Sequence, residues 1–149
     1  MDPAVVERLA AAVPRYTSYP TAAQFTNTVG PQQFADGLAT LPAASKLSLY
    51  VHIPFCAEMC WYCGCSTKVV HKAEPVAQYL DWLETEIITV GAMAAGTHKV
   101  THIHWGGGSP NVLKPDQIRR WADALRHPFA VSADTEIAVE IDPRGLTDE

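Results

Sequence analysis

Cysteine placement is the feature that most constrains this chain. All four cysteines of the 149 residues fall within the ten-residue stretch CAEMCWYCGC, at Cys56, Cys60, Cys63 and Cys65. A disulfide framework joins distant segments and is typical of secreted proteins, so four cysteines in one short loop argue against it. The distribution predicts a metal ion or a metal cluster held by this loop, in a reducing compartment.

The spacing of the thiols bears on the kind of metal site. A structural zinc site usually takes two pairs of cysteines from separate turns, so that four sulfurs surround one ion. A cubane iron–sulfur cluster takes one thiolate at each iron, and a tight loop can supply three of them. We expect Cys56, Cys60 and Cys63 to bind such a cluster, and we prefer an open fourth iron to ligation by Cys65. A zinc or electron-transfer module that uses all the cysteines is the alternative.

Hydrophobic periodicity predicts alternating strands and helices in the second part of the chain. Strands are expected at 47–53, 100–105 and 136–141, and helices begin near Pro75 and at Pro115. Strands separated by helices of about a dozen residues indicate a parallel sheet with right-handed crossovers. The predicted fold class is therefore α/β.

The length of the chain limits how much of such a fold it holds. A (β/α) barrel takes about 200 to 250 residues. We expect residues 47–149 to be the truncated first part of a barrel and residues 1–46 to be an N-terminal extension, with short helices at 5–13 and 31–41. A complete three-stranded α/β domain is the alternative.

Charge and hydropathy exclude several functions. The net charge of −5 provides no basic field for nonspecific binding of nucleic acid or anionic lipid. No run of 18 apolar residues occurs, so we expect no membrane partner. These observations favour a cytoplasmic protein.

Three segments rich in chemically useful residues each follow a predicted strand. They are the cysteine loop, the run Gly106–Ser109, and the pair Glu140 and Asp142. The C-terminal ends of parallel strands share one rim, where barrel enzymes place their active sites. The helix that begins near Pro75 is expected to end before Gly91, so that Gly91 and Gly96 follow it. The three segments therefore form the candidate site.

Three histidines share a predicted strand face with Tyr50 and Glu140, namely His52, His102 and His104. A His-x-His pair on a strand can bind zinc in barrel hydrolases. Hydrogen bonding in the core, or behind the groups that contact a ligand, is the more frequent role of such histidines, and it is the one we expect here.

Five motifs in order resemble a known family. They are RYTSYPTA at 15–22, YVHIPFC at 50–56, the C-x-C at 63–65, HWGGGSPN at 104–111 and VEIDPR at 139–144. The cysteine spacing resembles the radical S-adenosylmethionine (radical SAM) superfamily, and the five motifs together resemble its oxygen-independent coproporphyrinogen III oxidases. The resemblance covers nearly all of the chain but only the N-terminal third of the family's usual length. It implies a partial radical SAM barrel.

The resemblance also implies cofactors. Cys56, Cys60 and Cys63 would hold a 4Fe–4S cluster, whose open iron would be chelated by S-adenosylmethionine, with two such molecules bound in all. Six residues would contact them: Tyr50, Tyr62, Gly107, Gly108, Ser109 and Glu140.

Each implied contact has a chemical rationale. Glu140 suits the ribose hydroxyls or the methionyl ammonium, and Tyr62 offers an aromatic face to adenine. Gly107 and Gly108 let the main chain approach the ligand. Gly108 and Ser109 would touch the second molecule; a serine stands where the family usually has threonine, and the hydroxyl is retained.

The implied reaction converts coproporphyrinogen III to protoporphyrinogen IX by removing two propionate carboxyls, with an unidentified electron donor and acceptor. Arg15 and Arg144 are candidates for contact with the carboxylates, although Arg15 could pin the extension and Arg144 could pair with Asp142 or Asp148. A related haem chaperone without decarboxylase activity is the alternative. We expect the isolated 149 residues to show little or no turnover.

Overall fold

The computed structural model describes residues 2–10, 20–94 and 98–146, which belong to two compact units, Met1–Phe34 and Ala35–Glu149. Arg15 and most of the RYTSYPTA motif lie outside the described residues. The expected boundary between residues 46 and 47 stays a prediction. No helix among the described residues is long and apolar enough to span a membrane.

The described residues of the first unit include helix α1 (Pro3–Leu9) and a 3₁₀ turn at Ala22–Gln24. Helix α1 begins two residues before the expected position because Asp2 accepts a hydrogen bond from the Ala4 amide and Pro3 occupies the first turn. Residues 11–13 of the predicted helix lie outside the described part of the chain.

Helix α2 (Pro31–Ala39) is followed by the elements that carry the site. It is two residues shorter than expected. The remaining elements are, in chain order, β1 (Lys46–Ile53), β2 (Phe55–Cys56), β3 (Lys68–Val69), α3 (Ala73–Met93), β4 (Lys99–Gly107), α4 (Pro115–Arg126) and β5 (Glu136–Val139).

The main sheet has the order β1-β4-β5, and all its neighbours are parallel. This confirms the predicted α/β class with parallel strands. Strand β4 extends two residues further than expected, so Gly106 and Gly107 finish the strand and do not belong to the loop. Strand β5 ends two residues earlier than expected: the Glu140 amide still donates to the Trp105 carbonyl, and the Asn111 side chain then bonds both the amide and the carbonyl of Asp142.

The apolar core lies between the sheet and helices α3 and α4. Trp105 of β4 and Trp121 of α4 pack edge to face, with ring centroids 5.0 Å apart. The predicted alternation of β1 is confirmed, since Val51 and Ile53 are buried while Tyr50 is exposed. The stripe on α3 is buried as its helical spacing predicts; its buried side chains are Val76, Leu80, Leu83 and Ile87.

A two-stranded parallel sheet, β2 with β3, was not expected from the sequence. The Lys68 amide donates to the Pro54 carbonyl at 2.7 Å, and the Val70 amide donates to the Cys56 carbonyl at 3.0 Å. Two-residue strands are too short to carry a periodic signal. The pairing closes the base of the cysteine loop.

Gly91 lies inside α3, two residues before its end, which corrects the prediction that it follows the helix. A Cβ atom at this position would lie 2.2 Å from Cβ of Pro128, in the loop after α4. The missing side chain therefore allows α3 to approach that loop. Gly96 lies outside the described residues.

Gly91→Ala is expected to destabilise the fold despite the higher helix propensity of alanine. The gain in propensity is about 1 kcal/mol, whereas forcing extra volume into a packed contact costs roughly 1–3 kcal/mol. We therefore expect a net loss of up to about 2 kcal/mol in the free energy of unfolding, measured by denaturant titration.

The matched control is Gly37→Ala in α2, where an added Cβ would meet nothing within 4 Å. This variant should gain up to about 1 kcal/mol. Equal stabilisation by both substitutions would show that α3 does not depend on the close approach to Pro128.

Candidate cluster and cofactor site

The C-terminal ends of the three main strands meet at one rim, as the parallel arrangement predicts. Ile53 pairs in register with Gly107, and Trp105 pairs with Val139. The cysteine loop leaves β1 at this rim, the glycine run finishes β4 there, and Glu140 follows β5. The three expected segments are therefore neighbours.

The glycine run is fixed to the start of the cysteine loop by main-chain hydrogen bonds. The Gly108 amide donates to the Ile53 carbonyl at 2.7 Å, and the Ser109 amide donates to the Phe55 carbonyl at 2.8 Å. A Cβ at residue 108 would lie 2.3 Å from the Phe55 oxygen, so this approach requires glycine. The contact brings the Ser109 hydroxyl to 3.7 Å from Sγ of Cys56.

Glu140 bridges two groups of β4. Its Oε1 accepts a hydrogen bond from Nε2 of His104 at 3.0 Å, and its Oε2 accepts one from the Gly107 amide at 3.0 Å. These two bonds, that of His104 first, lower the pKa of Glu140. About half of the side chain remains exposed, so an ionised carboxylate is presented at the rim.

Gly107 is required by its conformation. Its φ is +104°, which other residues rarely adopt, and a Cβ there would lie 2.3 Å from Cε1 of His52. Its amide is already engaged by Glu140. The tight packing of Gly107 thus brings His52 and Glu140 to either side of the end of β4.

The face of the sheet turned away from helices α3 and α4, here called the inner face, carries a row of hydrogen-bonded aromatic side chains. The Tyr50 hydroxyl bonds Nδ1 of His52 at 2.9 Å, and Nε2 of His52 reaches the Ser66 carbonyl at 3.1 Å. The rings of Tyr50 and His104 stack with centroids 5.8 Å apart. Partial desolvation of the side chain raises the pKa of Tyr50, with a smaller contribution from the charge of Glu140. The hydrogen-bonding role expected for His52 and His104 is what the structure shows.

The cysteines differ in exposure along the loop. Cys56 is buried in β2, Cys60 and Cys63 are half-buried, and Cys65 is exposed; all are free thiols. The Cys65 amide donates to Sγ of Cys63 at 3.4 Å. In the part of the chain that the structure describes, no three His, Cys, Asp or Glu side chains converge on a single ion.

Three thiols of graded exposure on one loop fit an iron–sulfur cluster, which takes one thiolate at each of three irons. Cys56 is anchored by the pairing of β2 with β3, while Cys60 and Cys63 lie on the open part of the loop. Tyr62 extends into solvent with 91% of its surface exposed, so the structure does not bring it to the other predicted contacts.

Sequence reasoning gave no role to Asn111, and it left the partner of Arg144 open. Arg144 pairs with Asp142, and it also reaches Glu58 and Cys60 of the cysteine loop. Asn111 lies in the HWGGGSPN motif, and this was the sequence signal that could have drawn attention to it. The motif does not reveal which residue Asn111 bonds.

Comparison with known proteins agrees with this geometry. The profile of the Radical SAM superfamily matches residues 50–149. An oxygen-independent coproporphyrinogen III oxidase of Bradyrhizobium diazoefficiens is 47% identical over 135 residues, which are 91% of this chain and 30% of that protein. The protein of the same name from Mannheimia haemolytica is 43% identical over 142 residues, which are 95% of this chain and 96% of that sequence.

A solved structure gives the same result. Coproporphyrinogen III oxidase (HemN) from Escherichia coli, described as a radical SAM enzyme, superposes with a TM-score of 0.83 at 42% identity. The match covers 98% of this chain and 32% of that chain. The chain thus spans about a third of the length of the Bradyrhizobium and Escherichia relatives.

Glu140→Gln is expected to change the pH dependence of stability in the acid range. Because the folded protein lowers the pKa of Glu140, its ionised form stabilises the fold above the ordinary carboxyl pKa. This contribution is lost as the pH falls through the lowered pKa. Thermal midpoints measured from neutral pH to about pH 3 should show the advantage of the wild type over the variant shrinking with acidity.

The matched control is Glu136→Gln, which removes a carboxylate from the same sheet face 3.5 Å from His102. A wild-type advantage over Glu140→Gln that stays constant across the range would contradict the assignment of these hydrogen bonds to an ionised Glu140.

Proposed function

Because this chain belongs to the radical SAM superfamily, whose members use a 4Fe–4S cluster and S-adenosylmethionine, we propose that it forms the cofactor-binding part of an oxygen-independent coproporphyrinogen III oxidase. The enzyme would convert coproporphyrinogen III to protoporphyrinogen IX in haem biosynthesis, with an electron donor and acceptor still to be identified. The observation that carries the proposal is the meeting of the cysteine loop, the glycine run and Glu140 at one rim. Identities of 43–47% to relatives of that name support it.

Cys56, Cys60 and Cys63 would hold the cluster, and Cys65 would be a spacer. Two observations favour this role: the Cys65 side chain is exposed, and the Cys65 amide donates a hydrogen bond to Sγ of Cys63. When bound, the cluster and S-adenosylmethionine would supply one-electron chemistry at this rim. The residues of this chain would bind and orient that cofactor.

Glu140 would take the positively charged or hydroxyl-bearing part of S-adenosylmethionine. Its carboxylate is ionised, half-exposed and fixed by His104 and Gly107, so its side chain would lose little conformational entropy on binding. Tyr50 would line the cofactor site beside Glu140, with its hydroxyl hydrogen-bonded to His52. Tyr62, exposed on the loop, would offer its ring to the adenine.

Two molecules of S-adenosylmethionine are part of the proposal. Gly108 and Ser109 would contact the second. The Ser109 hydroxyl lies 3.7 Å from Sγ of Cys56, so a molecule bound at Ser109 would be beside the cluster loop. Gly108 lets the main chain pack directly against the start of the cysteine loop, which holds Ser109 in this position.

The substrate carries four carboxylates, whereas the chain has a net charge of −5. Arg144 is engaged by Asp142 and Glu58, which favours its ion-pair role over substrate contact. Arg15 remains the candidate cation from the sequence. We further propose a cytoplasmic enzyme without nucleic-acid or membrane partners, supported by the acidic charge, and a barrel that begins at residue 47.

Anaerobic reconstitution with iron and sulfide tests the cluster assignment. In a full-length protein containing these residues, Cys56→Ser, Cys60→Ser and Cys63→Ser should each lose the cluster, because each removes one iron ligand. Cys65→Ser is the matched control and should retain it. Iron and sulfide content and the charge-transfer absorbance report the result; one tightly bound zinc that requires all the cysteines would contradict the assignment.

An anaerobic assay with reductant, S-adenosylmethionine and coproporphyrinogen III tests the activity. We expect release of carbon dioxide and formation of protoporphyrinogen IX, and Glu140→Gln should lower kcat/KM about 10- to 100-fold by removing a charged contact worth roughly 1.5–3 kcal/mol. Haem transfer without any carbon dioxide release would contradict the oxidase assignment.

A further inference from the structure

Arg144, in the loop after β5, reaches across the rim to the cysteine loop. Its Nη2 donates to Sγ of Cys60 at 3.5 Å, and its Nη1 lies 3.1 Å from Oε2 of Glu58. A guanidinium that touches a thiol and a carboxylate on one loop restrains that loop at two points. One of those points is an expected cluster ligand.

The guanidinium is itself held in place. Nε of Arg144 donates to Asp142 Oδ1 at 2.9 Å, Nη2 donates to Oδ2 at 2.5 Å, and the Arg144 amide donates to Oδ1 at 3.0 Å. These bonds lower the pKa of Asp142 to about 2. A fork of this kind orients the side chain as well as pairing its charge.

Asp142 is fixed in turn by Asn111, which follows the glycine run. The Asn111 side-chain amide donates to the Asp142 carbonyl at 2.9 Å, and its oxygen accepts from the Asp142 amide at 3.0 Å. Asn111 lies in the 3₁₀ turn directly after Ser109. The contacts therefore run without a break from the glycine run through Asp142 and Arg144 to Cys60.

We propose that Arg144 is a positioning residue that fixes the cysteine loop and raises the reduction potential of the cluster by donating a hydrogen bond to the sulfur of Cys60. The inference rests on the proposed cluster site. Reduction adds negative charge to a cluster, and hydrogen bonds to its sulfurs and the local charge set its potential. Without Arg144, Asp142 and Glu58 would remain beside the cluster as uncompensated carboxylates.

Reduction potentials test the proposal. A full-length protein containing these residues is reconstituted anaerobically and matched for iron and sulfide content, and its cluster is titrated spectroelectrochemically. At a fixed potential, Arg144→Gln should shift the ratio of oxidised to reduced cluster up to tenfold toward the oxidised form, which is about 59 mV for one electron. Arg144→Lys keeps the charge but loses the fork, so its shift should be smaller.

Two further variants make the result specific. Glu58→Gln removes a carboxylate beside Arg144 and should shift the ratio in the opposite direction. Arg126→Gln is the matched control, since Arg126 pairs with Asp123 on the exposed side of α4 and should leave the potential unchanged.

The outcomes separate this inference from the proposed function. A wild-type protein that takes up no cluster would overturn both. A fully loaded cluster whose potential is the same in Arg144→Gln and Arg126→Gln would overturn only the role of Arg144. Should Arg144→Gln not retain a cluster, opposite shifts in Arg144→Lys and Glu58→Gln support the proposal, and unchanged potentials in both overturn it.

Discussion

The site depends on one main-chain contact, in which the amides of Gly108 and Ser109 donate to the carbonyls of Ile53 and Phe55. Backbone polar groups near a core must be paired, so these bonds fix the relative position of the two loops more firmly than side chains could. The contact allows no Cβ at residue 108. The glycine is thus needed for the packing of one loop against the other.

Charge at the rim is arranged around this contact. Glu140 is held by His104 and Gly107, while Asp142, two residues further on, holds Arg144. The alternation of β5 sends the first carboxylate to the inner face, and the turn after β5 directs the second toward the cysteine loop. One short stretch therefore carries an anion that would meet a ligand and, through Arg144, brings a cation to the cysteine loop.

Sequence patterns predicted what is local and periodic. The alternation around Val51 and the helical stripe of α3 gave strand and helix, and the parallel connection then brought the three loops together. Contacts between distant residues were beyond reach. The sequence suggests that Gly91 ends a helix, whereas the structure shows that it allows close packing against Pro128. Nothing in the sequence pairs Asn111 with Asp142. The roles of the predicted site residues remain predictions, because they depend on ligands.

The apolar face of β5 lies on the opposite side of the sheet from Glu140. Ile137 and Val139 of this face are 54% and 44% exposed, although parallel sheets are normally covered on both faces. Whatever packs on this face restrains β5 just before the loop that carries Glu140 and Asp142. The anion that would meet the cofactor and the support of Arg144 both lie in that loop. Packing on the far side of the sheet therefore bears directly on the geometry of the cysteine loop.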